Sequence, residues 1–242
     1  MKRYLSISLA VLAIAACQKP VQPEVAPGKV LIEPVITKAT EVNFESGDKI
    51  GFTMTKVNGT EAYADNAALT FNGTVFSGDL MWYADAYSEA DVYAYYPYNA
   101  NGTPAAYAAV LDQTAGIAQA DFMAAAKKGV LPTPNAITMV FKHLMTKIVV
   151  NIDNQSGADV TAVKILGGDA ACDIDLPNLA VLPASGAMST ELTEITAYEA
   201  TVGKVWKAIV IPQTVKLSVE VSLSNGKKIT QPLAEMTLKS GG

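Results

Sequence analysis

The sequence predicts an all-β fold divided into two domains, and three features of the chain support this. Beyond Thr40, short runs alternate between apolar and polar residues with a period of two, which is typical of half-buried strands. Asn-Gly pairs, a strong turn signal, separate several of these runs. The chain has 242 residues, 50% of them hydrophobic, which is too much for one small sandwich and enough for two ordinary domains.

The first 17 residues have the features of an export signal. Lys2 and Arg3 precede an apolar run that is too short to span a bilayer. Ala15 and Ala16 stand directly before Cys17 and form a lipobox, the pattern that places a thiol where a lipid is attached. We therefore predict a lipoprotein signal peptide over residues 1–17, with lipidation at Cys17. The alternative is a plain secretory signal followed by an incidental cysteine.

The next segments predict a tether and a first strand. Residues 18–29 carry three prolines and few large apolar side chains, which is the composition of a flexible tether. The β-prone segment that follows is interrupted by Pro34, and strands tolerate proline only at edges or ends. This first strand is therefore either an edge strand or one that is not permanently built into its sheet.

Local turn and helix signals predict the next elements. Asn58-Gly59, Asn72-Gly73 and Asn225-Gly226 predict three hairpins, because both residue types accept the positive φ of a type I′ turn. The stretch "QADFMAAAKKG", from Gln119 to Gly129, combines strong helix formers with a terminal glycine. We expect it to form a short connecting helix.

The longest strand signal, residues 135–153, marks the predicted domain boundary. Alternation places four side chains on one face of its first half: Ile137, Met139, Phe141 and His143. Because the run exceeds the usual strand length of about five or six residues, we expect one strand of each domain, with the boundary near Met145. The domains are then residues 30–145 and 146–242. Further strands are predicted near Val160–Leu166, Ala170–Leu176, Trp206–Ile211, Leu217–Leu223 and Ile229–Leu233.

The residue types argue against an enzyme, a metal site and a bound cofactor. His143 is the one histidine of the chain, and a strand histidine is more often structural than catalytic. Cys172 lies in an apolar strand and has the setting of a core residue. Asp169, Asp173 and Asp175 cluster, but the pattern of a calcium loop is missing. The net charge of -5 and the scattered lysines exclude a basic surface for nucleic acid.

The stretch "DVYAYYPYN", residues 91–99, allows two interpretations. In a strand, Val92, Ala94 and Tyr96 face one way, whereas Asp91, Tyr93 and Tyr95 face the other. The rings then belong to a core, which is the interpretation we favour. Alternatively, Tyr93 and Tyr95 form an aromatic patch with Trp82 and Tyr83 that binds glycans or host proteins.

Several pieces, read in order after the lipobox, resemble the fimbrillin family of Bacteroidales, the subunits of type V pili. They are "ITKAT", "FESGDKIGF", "MWYADA", "DVYAYYPY", "QADFMAAA" and "MVFKHLMTKIVVNI". The resemblance covers about 130 residues, and the second half is similar only in pattern. It implies two β-sandwich domains of transthyretin-like topology and a structural role in a major or accessory pilus subunit.

The resemblance further implies how the subunit assembles. Pilin-type members reach the outer membrane as lipoproteins, and a protease then removes the N-terminal strand, which opens a groove for a strand of the next subunit. In this sequence the removable strand is Val30 to Thr37, with Val30, Leu31, Ile32, Val35 and Ile36 as its apolar residues. Lys38 occupies the processing position. The expected partners are other pilus subunits, the outer membrane through the lipid, and surface ligands.

Two departures separate the chain from a simple pilin. Lys38 stands where the family often has arginine, so an arginine-specific protease has no site in the mature chain. The chain also ends at "TLKSGG", where relatives continue through further strands. The chain is therefore either an accessory or anchor subunit that keeps its first strand, or an incomplete C-terminal domain.

Overall fold

The computed structural model describes residues 28–37, 43–57, 62–185 and 193–241. Within these ranges the chain forms β-strands and one short 3-10 helix, Ala118–Ala120. No helix in this part of the chain is long and apolar enough to cross a membrane. The all-β prediction is confirmed.

Strands are numbered in chain order. The first half contains β1 (Lys29–Ile36), β2 (Lys49–Lys56), β3 (Ala62–Phe71), β4 (Phe76–Met81), β5 (Ala90–Tyr96), β6 (Ala106–Ala108), β7 (Met123–Val130) and β8 (Ile137–His143). The second half contains β9 (Thr146–Asn151), β10 (Val160–Leu166), β11 (Ala171–Asp175), β12 (Ala180–Pro183), β13 (Glu194–Thr196), β14 (Tyr198–Thr201), β15 (Val205–Val210), β16 (Thr214–Val215), β17 (Ser218–Leu223), β18 (Lys228–Pro232) and β19 (Met236–Thr237).

Seven strands of the first half close into a barrel, in the order β1-β4-β3-β2-β5-β7-β8. All neighbours are antiparallel except β1 and β8, which are parallel. Closure removes the free edges that an open sandwich would leave, and the interior is filled by a first core cluster of apolar side chains. Where the resemblance implied a sandwich, the first half forms a barrel.

The helix predicted over residues 119–129 is wrong, because most of that segment is β7. The alternation is hidden by the alanines: Ala125 packs in the barrel, whereas Ala124 belongs to a second cluster on the outside. β7 lies between β5 and β8, and its pairing outweighs alanine's intrinsic helix preference. Only Ala118–Ala120, just before it, is helical.

Two of the three predicted hairpins lie within the described residues, and both form. Asn72-Gly73 joins β3 to β4, and Asn225-Gly226 joins β17 to β18. Only the glycines take a positive φ, 101° and 81°. Asn72 instead folds its side chain back, so that Oδ1 accepts hydrogen bonds from the amides of Thr74 and Val75 at 2.9 and 3.0 Å. Asn58-Gly59 lies outside the described residues.

The second half consists of two main sheets packed face to face, with strand orders β13-β10-β17-β18 and β14-β15-β9. A third core cluster fills the space between them, centred on Val163, Ile165 and Trp206. Two smaller sheets, β12-β11-β6 and β16-β19, complete the fold. The five strands predicted for this half correspond to β10, β11, β15, β17 and β18.

The long strand signal at residues 135–153 is divided into β8 and β9 by Leu144 and Met145. β8 belongs to the barrel, whereas β9 pairs with β15 of the second half. The four side chains predicted to share a face of β8 are all buried. The division into domains 30–145 and 146–242 stays a prediction. The second cluster joins residues from both halves, including Tyr95, Leu144 and Ile209.

Candidate functional site

The first strand closes the barrel by pairing on both sides. Its beginning pairs antiparallel with β4, where Leu31 lies opposite Ser77. Its end runs parallel to β8, where Val35 lies opposite Val140. Ile32 belongs to both ladders, with Phe76 and Ile137 as its register partners. Among the described strands, β1 is therefore the one that joins β4 to β8.

The apolar side chains of β1 divide between the interior and the surface. Val30 and Ile32 are fully buried in the first cluster. Leu31 and Ile36 are half-buried, and Val35 is 44% exposed. Two deeply seated side chains thus anchor the strand, and its outward residues contribute less burial.

The two ends of β1 are held differently. From Glu33 onward the described residues supply a strand partner only on the β8 side, and Pro34, which has no N–H, lies in this part. Side-chain contacts there are few: the Thr138 hydroxyl donates to Glu33 Oε2 at 3.1 Å. At the start of the strand, Lys29 Nζ lies 3.6 Å from Asp79 Oδ1, with both groups exposed. Because these polar contacts are weak, the burial of Val30 and Ile32 is the main contribution of the side chains to holding β1 in the barrel.

The strand leaves the barrel beside a cavity. The Thr37 amide donates to the Phe141 carbonyl at 3.1 Å, continuing the ladder with β8 by one residue. A cavity of about 350 Å³ opens there, lined by Thr37, Lys142, His143, Leu144, Leu179, Ser240 and Gly241. Lys38, the predicted processing residue, and Cys17, the predicted lipidation residue, lie outside the described residues.

The aromatic residues of β5 serve the core on both sides of the strand. Tyr96 lies inside the barrel, whereas Tyr95 lies in the second cluster, where its ring stacks on Phe122 at 5.9 Å. The Tyr95 hydroxyl donates to Asn66 Oδ1 at 2.6 Å and accepts a hydrogen bond from the Asn99 amide at 3.2 Å. Tyr93 is half-buried beside the same cluster. The opposite orientations predicted for Tyr95 and Tyr96 are thus observed, and both rings are buried.

The four residues of the predicted aromatic patch do not share a surface. Trp82 and Tyr83 pack in the first cluster and are 2% and 5% exposed, whereas Tyr95 lies in the second cluster and is 1% exposed. Tyr93 is the one ring of the four that is partly accessible. A ligand in solution therefore cannot contact these four rings together in this structure.

A buried hydrogen bond ties the start of β7 to the end of β8. His143 Nδ1 lies 2.8 Å from Asp121 Oδ2, and both side chains are almost completely inaccessible. The structural role predicted for His143 is consistent with this position. Asp121 was not predicted as its partner. The signal in the sequence is a lone acid at the start of "DFMAAA", an otherwise apolar run.

Cys172, Asp173 and Asp175 have structural roles, in the core or in turns. Cys172 is buried at 1% exposure, and burial is the main cause that raises the pKa of its thiol to about 12. This thiol is therefore protonated and unreactive at neutral pH. Asp173 and Asp175 cap nearby turns: they accept hydrogen bonds from the amides of Ser185 and Asn178, respectively, at 3.0 and 3.1 Å.

Solved structures with a similar fold come from Bacteroides. A protein of Bacteroides ovatus, provisionally described as a cell adhesion protein, is 22% identical, with a TM-score of 0.67 over 89% of this chain and 90% of that one. One of Bacteroides uniformis with the same description is 20% identical, with a TM-score of 0.63 over 86% and 89%. A fimbrial protein of Bacteroides ovatus is 19% identical, with a TM-score of 0.59 over 90% of this chain and 48% of that one.

The sequence itself identifies the family. No curated protein matches the chain. A family model described as fimbrillin-like matches residues 37–242, which is most of the chain and includes the second half and every barrel strand except β1. The chain therefore belongs to the fimbrillin-like family.

Proposed function

We propose that this chain is a structural subunit of a cell-surface pilus, exported as a lipoprotein through Cys17 and assembled by strand exchange at the position of β1. The proposal rests on the position of β1 in the barrel. This one strand joins β4 to β8 and is held mainly by the buried side chains of Val30 and Ile32. Its removal leaves two strand edges and two apolar pockets, and a strand of another subunit satisfies both. Family membership supports the same role.

Two forms of the mature protein are compatible with this role. Cleavage after Lys38 gives a polymerising subunit that starts at Ala39. Retention of β1 gives a lipid-anchored accessory subunit at the outer membrane. The N-terminus of the protein recovered from cells distinguishes them, because lipidated Cys17 identifies the anchored form and Ala39 the processed one.

Strand exchange is tested with a chain that starts at Ala39 and a peptide with the sequence of residues 30–37, "VLIEPVIT". We expect this peptide to bind the trimmed chain and raise its melting temperature, because it restores the ladders to β4 and β8. A peptide with Ile32→Asp is expected to lose binding, since Ile32 enters the barrel. The matched peptide with Val35→Asp keeps it, since Val35 is exposed. Equal binding of both variants, or no stabilisation by any of the peptides, contradicts the proposal.

A role in binding glycans or host proteins through Trp82, Tyr83, Tyr93 and Tyr95 is the alternative function. The burial of three of these four rings weighs against it. A ligand-binding patch would also predict that Tyr95→Ala abolishes binding without lowering stability, whereas a core residue loses stability.

A further inference from the structure

A cavity of about 460 Å³ lies beside β6, and this volume is within the range of pockets that hold small ligands. Its walls are β6, Phe122 and the loop after β5, residues 97–104. All three residues of β6 line the cavity, although neighbouring side chains of a strand point to opposite faces. The cavity therefore lies along an edge of β6, and β11 occupies the other edge.

The backbone of β6 has hydrogen-bonding groups on the cavity side. The Ala105 carbonyl accepts from the Ile174 amide, and the Ala109 amide donates to the residue just before β11, both at 2.8 Å. Bonded pairs recur at every second residue of an antiparallel ladder. The N–H and C=O groups of Ala106 and Ala108 therefore point away from β11, to the side where no strand of the described ranges lies. Each of these two residues presents a donor and an acceptor to the cavity.

The opposite wall is a loop that side chains of the barrel hold in place. Asn66 Nδ2 donates to the Asn99 carbonyl at 2.8 Å, and the Asn99 backbone N–H donates to the Tyr95 hydroxyl at 3.2 Å. Further along the loop, the Thr103 hydroxyl donates to Asp65 Oδ1 at 3.0 Å. The wall is thus formed before a ligand arrives, so that binding does not have to order it.

Three aromatic rings line the cavity: Tyr98, Tyr107 and Phe122. The rings of Tyr107 and Phe122 meet at 5.9 Å, and the Tyr107 hydroxyl donates to the Ala120 carbonyl at 2.7 Å, so this pair is fixed. Tyr98 is half-buried, and within the described part of the chain its ring contacts no other ring and its hydroxyl makes no hydrogen bond. The Tyr98 ring is therefore open to a ligand, with an apolar face and a polar tip.

The other polar side chains of the cavity are neutral amides. Asn99 Oδ1 accepts from the backbone N–H of Asn101 at 3.0 Å, whereas Asn99 Nδ2 has no partner among the described residues. The Asn101 side chain is exposed and also bonds to none of them. None of the described residues that line the cavity is charged. A charged ligand would find no counter-ion here, whereas a ligand with several hydroxyl groups finds both donors and acceptors.

We propose that this cavity binds one neutral sugar unit of a glycan. The C–H face of a pyranose ring packs on Tyr98, and its hydroxyl groups bond to the edge of β6 and to the amides of Asn99 and Asn101. The aromatic patch considered above is a different surface, because none of its four rings lines this cavity. β1 does not line it either, so the inference is independent of strand exchange.

An extended peptide is the competing occupant, because peptides add to free strand edges. β6 is three residues long, whereas strands usually have about five or six. Pro104, just before β6, has no N–H with which to continue a ladder. The loop that forms the opposite wall also limits the space beside the strand. These features favour a compact ligand over a strand.

Saturation-transfer NMR tests the proposal on the full chain carrying Cys17→Ser, so that no lipid is attached. The neutral probes are the methyl glycosides of glucose, galactose and mannose, and N-acetylglucosamine. The acidic probes are glucuronic acid and N-acetylneuraminic acid. We expect saturable binding of a neutral probe, with the acidic probes weaker by roughly tenfold or more, because the cavity has no cation to pair with them. No saturable binding of any neutral probe, or equally strong binding of the acidic probes, overturns the proposal.

Substitutions in the cavity locate the binding. Tyr98→Ala is expected to weaken it by roughly tenfold or more through loss of the ring, and Asn101→Ala by roughly threefold to tenfold through loss of a hydrogen bond. Because the Asn101 side chain is exposed and has no partner in the described part, Asn101→Ala keeps the fold even if Tyr98→Ala does not. The matched control is Tyr87→Ala, at a ring that is 65% exposed and lies outside the cavity. Equal binding by Asn101→Ala and Tyr87→Ala contradicts this site.

A competition experiment separates the sugar from a peptide strand. A hexapeptide of alternating valine and threonine has the pattern of a strand, and we expect that it does not displace the sugar. If the peptide binds and loses affinity in the Tyr98→Ala chain while no sugar binds, the edge of β6 is a site for strand addition and the proposal is wrong.

Discussion

The ring of Tyr95 lies directly over the backbone of Gly51, its partner on the neighbouring strand β2. A Cβ added at residue 51 would come within 2.1 Å of Tyr95 Cε1 and 2.7 Å of Asn66 Oδ1. The ring cannot move away easily, because its hydroxyl is hydrogen-bonded to Asn66 and its face stacks on Phe122. The absence of a side chain at Gly51 is thus a condition for the position of Tyr95.

Gly51→Ala is therefore expected to lower the free energy of unfolding by about 1 to 3 kcal/mol through overpacking. Chemical denaturation measures the change. Gly28→Ala is the matched control, since a Cβ there has only an ordinary contact, 3.6 Å from Pro134. Similar effects of the two substitutions would contradict the steric explanation.

Replacing the rings of β5 should reveal their unequal burial. Tyr95→Ala is expected to cost about 3 to 5 kcal/mol, because the ring is almost fully buried. Tyr93→Ala is expected to cost clearly less, since Tyr93 is half-buried. Tyr95→Phe removes only the hydroxyl. It is expected to lower the free energy of unfolding by about 1 to 3 kcal/mol, because the hydrogen-bond partners of the hydroxyl are left unsatisfied. A smaller effect for Tyr95→Ala than for Tyr93→Ala in thermal or urea unfolding would refute this ranking.

The His143–Asp121 hydrogen bond should matter for stability. Asp121→Ala removes one member of a buried hydrogen-bonded pair and leaves the imidazole without this partner, which typically costs about 1 to 3 kcal/mol. The matched control is Asp79→Ala, because the Asp79 carboxylate is exposed and its contact with Lys29 is long. Urea unfolding curves of both variants measure the difference. If Asp121→Ala were as stable as Asp79→Ala, this pair would not hold β7 against β8.

Alkaline pH should destabilise the fold through Tyr96. Burial, followed by the charge of Asp48, raises the pKa of Tyr96 from its ordinary value of 10.0 to about 12. The folded state thus binds the phenolic proton more tightly than the unfolded state. The stability that protonated Tyr96 contributes is therefore complete below pH 10 and is lost as pH rises towards 12. Tyr96→Phe is expected to lose less stability over that interval than the parent protein. The comparison uses the pH dependence of urea unfolding, and identical slopes would contradict it.

Sequence reasoning succeeded where alternation was regular and one face was buried. β8 alternates cleanly, and all four of its predicted inward residues are buried. It failed for β7, because four small or flexible residues, Ala124 to Lys127, carry no period that distinguishes a strand from a helix. The short strands β13, β16 and β19 have two or three residues each, which is too few to show a pattern.

For the candidate site, the sequence identified β1 as unusual through Pro34, but it could not reveal the neighbours of the strand. Parallel pairing with β8 and antiparallel pairing with β4 depend on contacts between residues far apart in the chain. No local sequence pattern likewise indicates why residue 51 must be glycine, because the steric constraint is the ring of Tyr95, 44 residues later.

The parallel ladder between β1 and β8 also sets an order of events during folding. Ile32 and Ile137 are register partners separated by 105 residues, whereas Phe76, the partner of Ile32 on β4, follows it much sooner. β1 can therefore pair with β4 early, but its other edge stays open until β8 is in place. Closure of the barrel between β1 and β8 is expected to be a late step, with the apolar residues of β1 accessible to a chaperone or a protease in the interval.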